Sequence, residues 1–190
     1  MKRFMEAAIN VQYFLNKRED GLRLYPLEGL LPIGQALSVN TSYLVISLIS
    51  RNSANGNSIL LQRRLAEPQM RLLLTLMQSP PYSPHEILYA SLFCSYQGLL
   101  EGLFFSMDLP GEEWQATIEE KRGLLQSAHE SGTWKRDLKP LYNALSKLRD
   151  KLRPFGLGIS VSASGAAYTL ISLPFIDNEA RDRRDISPQK

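Results

Sequence analysis

Apolar residues recur along this chain first at helical spacing, then at strand spacing, then at helical spacing again, with Gly/Pro/Asn breaks between. Phe4, Met5, Ala8, Ile9, Val11 and Leu15 share one side of a helix expected over 3–17, which Asp20-Gly21 ends. Residues 22–40 hold Pro26, Gly29, Pro32 and Gly34 and are expected to be irregular, with at most a short strand. Tyr43-Leu-Val-Ile-Ser-Leu-Ile49 reads as a strand, and Ser58–Arg63 as its return. Asn55-Gly56 supplies the tight turn between them, because both residue types tolerate positive φ.

Helical spacing resumes with Met70, Leu73, Leu74 and Met77, predicting a helix over 67–78 with Pro68 in its first turn. Ser83-Pro-His-Glu86 has the form of a capping box: Ser83 accepts from the Glu86 amide and Glu86 reaches back. It would open a helix to about Phe93, with Ile87, Leu88 and Leu92 inward. Leu99–Phe105 is apolar enough for a short helix. Pro110-Gly-Glu-Glu113 starts a longer one to about His129, with Trp114, Ile118, Leu124 and Leu125 on one face. Leu141, Leu145, Leu148 and Leu152 then recur at steps of four, three and four, stacking on one face of a helix over 138–153. A small hairpin follows over 158–173, and the mixed-charge tail at 174–190 has almost nothing to bury, so it is expected to be disordered.

Charge sharpens this outline. The chain of 190 residues carries 22 basic and 19 acidic residues, a net charge of +3. Between Lys135 and Arg153 the basic residues are 135, 136, 139, 147, 149, 151 and 153, against acidic 137 and 150, so this segment alone is +5 and the remainder −2. A local basic helix on a near-neutral body is an electrostatic footprint for nucleic acid. Cys94 is the only cysteine, which removes a disulfide framework and a cysteine zinc site. No apolar run is long enough to span a membrane, and Glu6, Asn10 and Gln12 interrupt any signal-peptide pattern, so a cytoplasmic protein is expected.

Enzyme signatures are poor. His85-Glu86 lacks the second histidine of a zinc-protease motif, since Tyr89 stands there, and His129 has no metal ligand at helical spacing. Gly156-Leu-Gly158 lacks the third glycine of a dinucleotide fingerprint, and Ala163-Ser164-Gly165 lacks a nucleophile elbow's flanks. No enzymatic activity, cofactor or metal is expected.

The order of elements, strand pair, helix, capped helix, basic helix, hairpin, resembles the winged helix-turn-helix effector domain of OmpR/PhoB-type bacterial regulators and the related N-terminal domain of Streptomyces antibiotic regulatory proteins. The resemblance covers roughly 43–94 and 136–173. Leu65, Leu72, Leu73 and Leu76 match the first family motif, with Ala66, Gln69 and Met70 replacing its Thr, Glu and Phe. Ser83-Pro-His-Glu-Ile87-Leu88 matches the second loosely. Leu141, Leu145, Leu148, Arg149, Lys151 and Leu152 reproduce the recognition helix, and Gly165, Tyr168 and Leu170 the wing. Ser164 and Thr169 stand where the family places wing arginines, and Ala167 replaces a glycine. The 42 residues before the first hairpin are too few for a receiver domain.

The fold expected is therefore α+β: a winged helix-turn-helix over 43–173 with an N-terminal hairpin, an extra helix and lead-in over 1–42, and a helical insertion at about 95–136. The resemblance implies a sequence-specific DNA-binding protein and transcription regulator. Arg149 is the candidate for bidentate contact to guanine, Asn143 and Ser146 for adenine or phosphate, and Lys139, Tyr142, Lys147, Lys151 and Arg153 for phosphates. Ser162 and Ser164 are the wing candidates, while Tyr168 reads as a core anchor. Expected partners are double-stranded DNA, RNA polymerase or another protein through the insertion, and a second copy of the chain. The competing reading is a winged-helix protein-interaction module that has lost DNA binding.

Overall fold

The computed structural model describes residues 21–53, 56–78, 82–104 and 111–174. The helix expected over 3–17, Asn55 of the turn, and the tail from 175 lie outside them.

Four antiparallel strands come first, β1 (Leu22–Tyr25), β2 (Gln35–Asn40), β3 (Val45–Ser53) and β4 (Gly56–Arg64), neighbours in chain order. Residues 22–40, expected to be irregular, contain two of them. Leu22 pairs with Asn40 and Tyr25 with Leu37, and the proline and glycine signals fall in the connection from 26 to 34 rather than in the strands. A domain boundary at 42 would thus cut one sheet between β2 and β3. The expected strand pair forms as β3 and β4, with Val45 opposite Arg64 and Ser53 opposite Gly56.

Helix α1 (Glu67–Gln78) has the predicted limits but is buried all round from Gln69 to Met77. It is the centre of one core that includes Leu37, Ile46 and Leu48 of the sheet, Leu88, and the four leucines of the basic helix. Burying Arg71 in such a place requires partners. Its guanidinium pairs with Glu67 at 2.6 Å and donates to the carbonyls of Ser91 and Cys94 at 3.1 and 2.6 Å. One side chain thereby satisfies the carbonyl end of the next helix, α2 (His85–Phe93).

The capping box is absent. Ser83 and Pro84 form a two-residue strand, β5, paired with Tyr168 and Ala167, and Pro84 stands at the N-cap of α2 with no side-chain cap. Sheet pairing holds Ser83 extended and buries its hydroxyl without a partner, so the local capping option loses to tertiary pairing.

The insertion is a close helical pair, α3 (Tyr96–Phe104) and α4 (Glu112–Glu130). Ser95 caps α3 by accepting from the Gly98 amide at 2.9 Å, and Glu113 accepts from the Ser95 amide and hydroxyl, each at 2.9 Å. Trp114 and Ile118 pack with Leu99, Ala90 and Cys94 in a second small core, so the insertion covers α2. Leu124, expected on that inner face, is 44% exposed, because it lies a third of a turn from the buried row Trp114, Ile118, Leu125.

A single helical turn, α5 (Trp134–Asp137), leads into α6 (Lys139–Leu152), and one 3-10 turn over Arg153–Phe155 leads into β6 (Leu157–Val161) and β7 (Ala167–Ser172). These two strands and β5 form a sheet in the order β5-β7-β6. The protein is an α+β fold with a four-stranded antiparallel sheet and six helices among the described residues.

Candidate nucleic-acid interface

Helix α6 is built by its leucine seam. Leu141, Leu145, Leu148 and Leu152 are all at most 1% exposed, and Pro140 occupies the first turn, where its missing amide costs nothing. With 3.6 residues per turn, the seam fixes what faces away from it. Lys139, Asn143, Ser146 and Asp150 form the outermost row, all exposed, with Lys147, Lys151 and Arg153 exposed on its flanks. No described element covers this face. Asp150 is the one residue of that row outside the sequence-derived set, and its carboxylate places a negative charge among the cations.

Tyr142 and Arg149 lie one row over, toward the hairpin, and both are half-buried. Arg149 donates from Nε to the Ile159 carbonyl at 3.2 Å, and its guanidinium sits 5.9 Å from the Tyr168 ring centre. The residue assigned to guanine therefore has one nitrogen engaged with β6, leaving its two Nη groups without a partner among the described residues.

The hairpin turn is organised by its own serines. Ser162 and Ser164 hydroxyls lie 3.0 Å apart, Ser162 Oγ accepts from the Ala167 amide at 3.2 Å, and Ser164 Oγ from the Ala166 amide at 3.4 Å. Ser162 is half-buried and Ser164 exposed, so of the two only Ser164 presents an open surface. Tyr168 is buried, as an anchor should be.

Between the hairpin tip, α4, α5 and the start of α6 runs an open groove of about 1130 Å³, bordered by His85, Arg122, His129, Trp134, Tyr142 and Ser164. Arg122 is already paired with Glu119 at 2.7 Å, and Glu86 and Glu130 balance Lys135 along its walls. A polyanion is better served by the α6 row than by this mixed-charge groove.

No protein-family model, curated protein or solved structure matches the chain. The site's chemistry must therefore be judged from its own atoms. Among the described residues no group of three or more His, Cys, Asp or Glu could hold a metal ion, and no helix is long and apolar enough to cross a membrane. Cys94 is buried, with Sγ 3.5 Å from Glu113, and burial pushes its thiol above the ordinary value.

Sequence reasoning weighed His85 only as a metal ligand and Trp134 only as a core or interface residue, and did not foresee that the two meet. His85 is 4% exposed, and its ring meets Trp134, Tyr142 and Tyr168 edge-on at centroid distances of 5.6, 6.2 and 5.2 Å. Desolvation holds the imidazole below its ordinary 6.5, against the opposing pull of the Ala166 carbonyl and Glu86. Nothing in the local pattern marks it, since its neighbours come from three distant segments.

Proposed function

We propose that the chain is a cytoplasmic bacterial transcription regulator that binds double-stranded DNA as a winged helix-turn-helix. In this reading α2 and α6 are the two helices of the motif, α6 enters the major groove, and the β6–β7 hairpin is the wing beside the backbone. The observation that carries it is the exposed row Lys139, Asn143, Ser146, flanked by Lys147, Lys151 and Arg153 and set opposite a fully buried leucine seam. Lysines at the flanks suit phosphates, and amide and hydroxyl groups in the middle suit base edges. Ser164 and Thr169 give the wing no arginine for a narrow minor groove, so α6 carries the binding. The outward side of the α3–α4 insertion is then free for RNA polymerase or another protein.

Selection of bound duplexes from a random pool, followed by an anisotropy titration across salt, tests this. A shared motif among the selected duplexes and a steep loss of affinity with salt are expected. No enrichment together with a flat salt response removes the reading.

One observation favours the alternative of a protein-interaction module. Phe93 is 51% exposed beside an apolar cleft of about 340 Å³ bordered by Pro68, Leu92, Pro140 and Ala144. Under that reading Phe93→Ser abolishes partner capture while Lys151→Ala, outside the cleft, leaves it intact.

A further inference from the structure

Three polar elements of this fold meet at one imidazole. His85 is the first residue of α2, its amide donates to the Ala166 carbonyl at 3.2 Å in the hairpin turn, and Pro84 before it pairs with Ala167. Its ring is enclosed edge-on by Tyr168 of β7, Tyr142 of α6 and Trp134 of α5. The hairpin, the basic helix and the end of the insertion thus share one contact. His85 Nε2 is buried and has no hydrogen-bond partner among the described residues.

A neutral imidazole tolerates that position, because Nε2 then carries only a lone pair. A protonated one carries a positive charge and an N–H at Nε2 as well, where rings rather than an acceptor surround it. Burying an unpaired donor and an unpaired charge is costly, so protonation must be accompanied by movement of the ring or of what covers it. The groups facing the ring offset this only in part: the Ala166 carbonyl of the hairpin turn and then Glu86, on its own helix, favour the charged form, and burial outweighs both. From β7 and α6 it meets the tyrosines Tyr168 and Tyr142, and the Arg149 guanidinium lies 5.9 Å from the Tyr168 ring centre. Across the groove stand Lys135 of α5 and, on α4, Arg122, Glu130 and His129, the last packed on Trp134 at 6.0 Å.

We infer that His85 is an acid-sensitive latch: neutral, it locks the β6–β7 hairpin to α2 and α6, and protonated, it releases the hairpin from that registry. The inference extends the proposed DNA reading, since the hairpin and α6 are the two surfaces offered to the duplex, but the latch itself is defined without DNA.

The test uses the full chain, which has only two histidines, His85 and His129. Imidazole and hairpin amide signals of Ser162–Ala167 are followed by NMR from about pH 8 to about pH 5. The expected result is that His85 titrates below 6.5, that the hairpin signals shift with its midpoint, and that His85→Phe removes this shift while His129→Asn retains it. Should His85→Phe not fold, His85→Gln and the tracking of the His85 midpoint in His129→Asn give the same reading. A hairpin shift that follows His129, or persists without His85, overturns the latch, as does titration of His85 with the hairpin signals unmoved. Anisotropy on a duplex supplies the second arm. Added positive charge alone would tighten DNA binding on acidification, whereas the latch makes the wild type weaken relative to His85→Phe. Hairpin titration with no DNA binding at any pH sustains the latch and removes the DNA reading.

Discussion

Arg149 of α6 donates its Nε proton to the carbonyl of Ile159 on β6 at 3.2 Å, so the best arginine of the basic helix also fixes the hairpin to that helix. Removing it should act in two ways. Arg149→Ala loses a half-buried hydrogen bond, an effect of about 1 kcal/mol on urea unfolding. It also lowers affinity for a selected duplex and for a scrambled one by similar factors if Arg149 positions the hairpin. A loss confined to the selected duplex would instead assign its Nη groups to a base. An unchanged urea midpoint would show that the Ile159 bond contributes nothing.

The exposed lysines should behave differently from Arg149. Lys139, Lys147 and Lys151 stand away from the core, so alanine at any of them is expected to change stability by no more than about 0.5 kcal/mol. If each neutralises one phosphate, each replacement reduces the slope of log affinity against log salt by about 0.9. Asp150 lies in the outermost row, and Asp150→Asn is expected to tighten binding to any duplex by removing a repulsive charge. Anisotropy titrations at several salt concentrations measure both effects. A slope that ignores all three lysines points away from α6 as the contacting helix.

The buried Arg71 gives a stability prediction with a built-in contrast. Arg71 is 9% exposed at the side chain, while its partner Glu67 is 50% exposed. Arg71→Ala leaves the Ser91 and Cys94 carbonyls at the end of α2 without their donor and opens space in the core, a cost of about 3 kcal/mol. Glu67→Gln keeps the shape and loses only the water-screened part of the pair, a cost of at most about 1 kcal/mol. Chemical unfolding of the two variants checks the ratio. Equal effects would mean that the ion pair, and not the carbonyl contacts, is what Arg71 supplies.

Glu113 predicts an acid limit for the insertion. The Ser95 amide first, then the Ser95 hydroxyl, hold its carboxyl below the ordinary 4.5. The folded state therefore favours the charged form. That stabilisation is complete above the ordinary carboxylate range and is lost as pH falls through the lowered value. The wild type should lose α3 order below about pH 4.5, and Glu113→Gln should lack that contribution at neutral pH while showing a flatter acid profile. Circular dichroism melts as a function of pH measure it, and identical profiles would remove Glu113 from the account of α3.

What the sequence made legible follows from how local each signal is. The leucine seam of α6 and the limits of α1 were readable because one helix face carries its own period, whatever it packs against. Residues 22–40 were not, since β1 and β2 each pair across a connection whose Pro and Gly outweigh four to six strand residues. The capping box at Ser83 was a correct local motif defeated by a partner 85 residues later, Tyr168. The exposed cations of α6 came from the same seam, but the engagement of Arg149, Ser162 and Ser164 within their own fold depends on contacts that no spacing encodes.

Glycines mark the last of these non-local contacts, and they can be tested directly. Gly98 and Gly102 lie four apart on the face of α3 that meets α4. A Cβ on Gly102 would come within 2.4 Å of the Trp114 ring, and one on Gly98 within 2.4 Å of Glu113 Oε2. The Trp114 ring is boxed in by Leu99 and Ile118 in a small core, so it cannot yield, whereas the Glu113 carboxylate is an exposed end that can swing away. Gly102→Ala is therefore expected to cost about 1–3 kcal/mol through overpacking, despite alanine's better helix propensity. Gly98→Ala should cost less and should also return the Glu113 carboxyl toward its ordinary acidity, because displacement breaks its bonds to Ser95. Unfolding midpoints, read alongside the change in Trp fluorescence, separate the two. A Gly102→Ala chain more stable than the wild type would mean that α3 and α4 are not held in this close packing in solution.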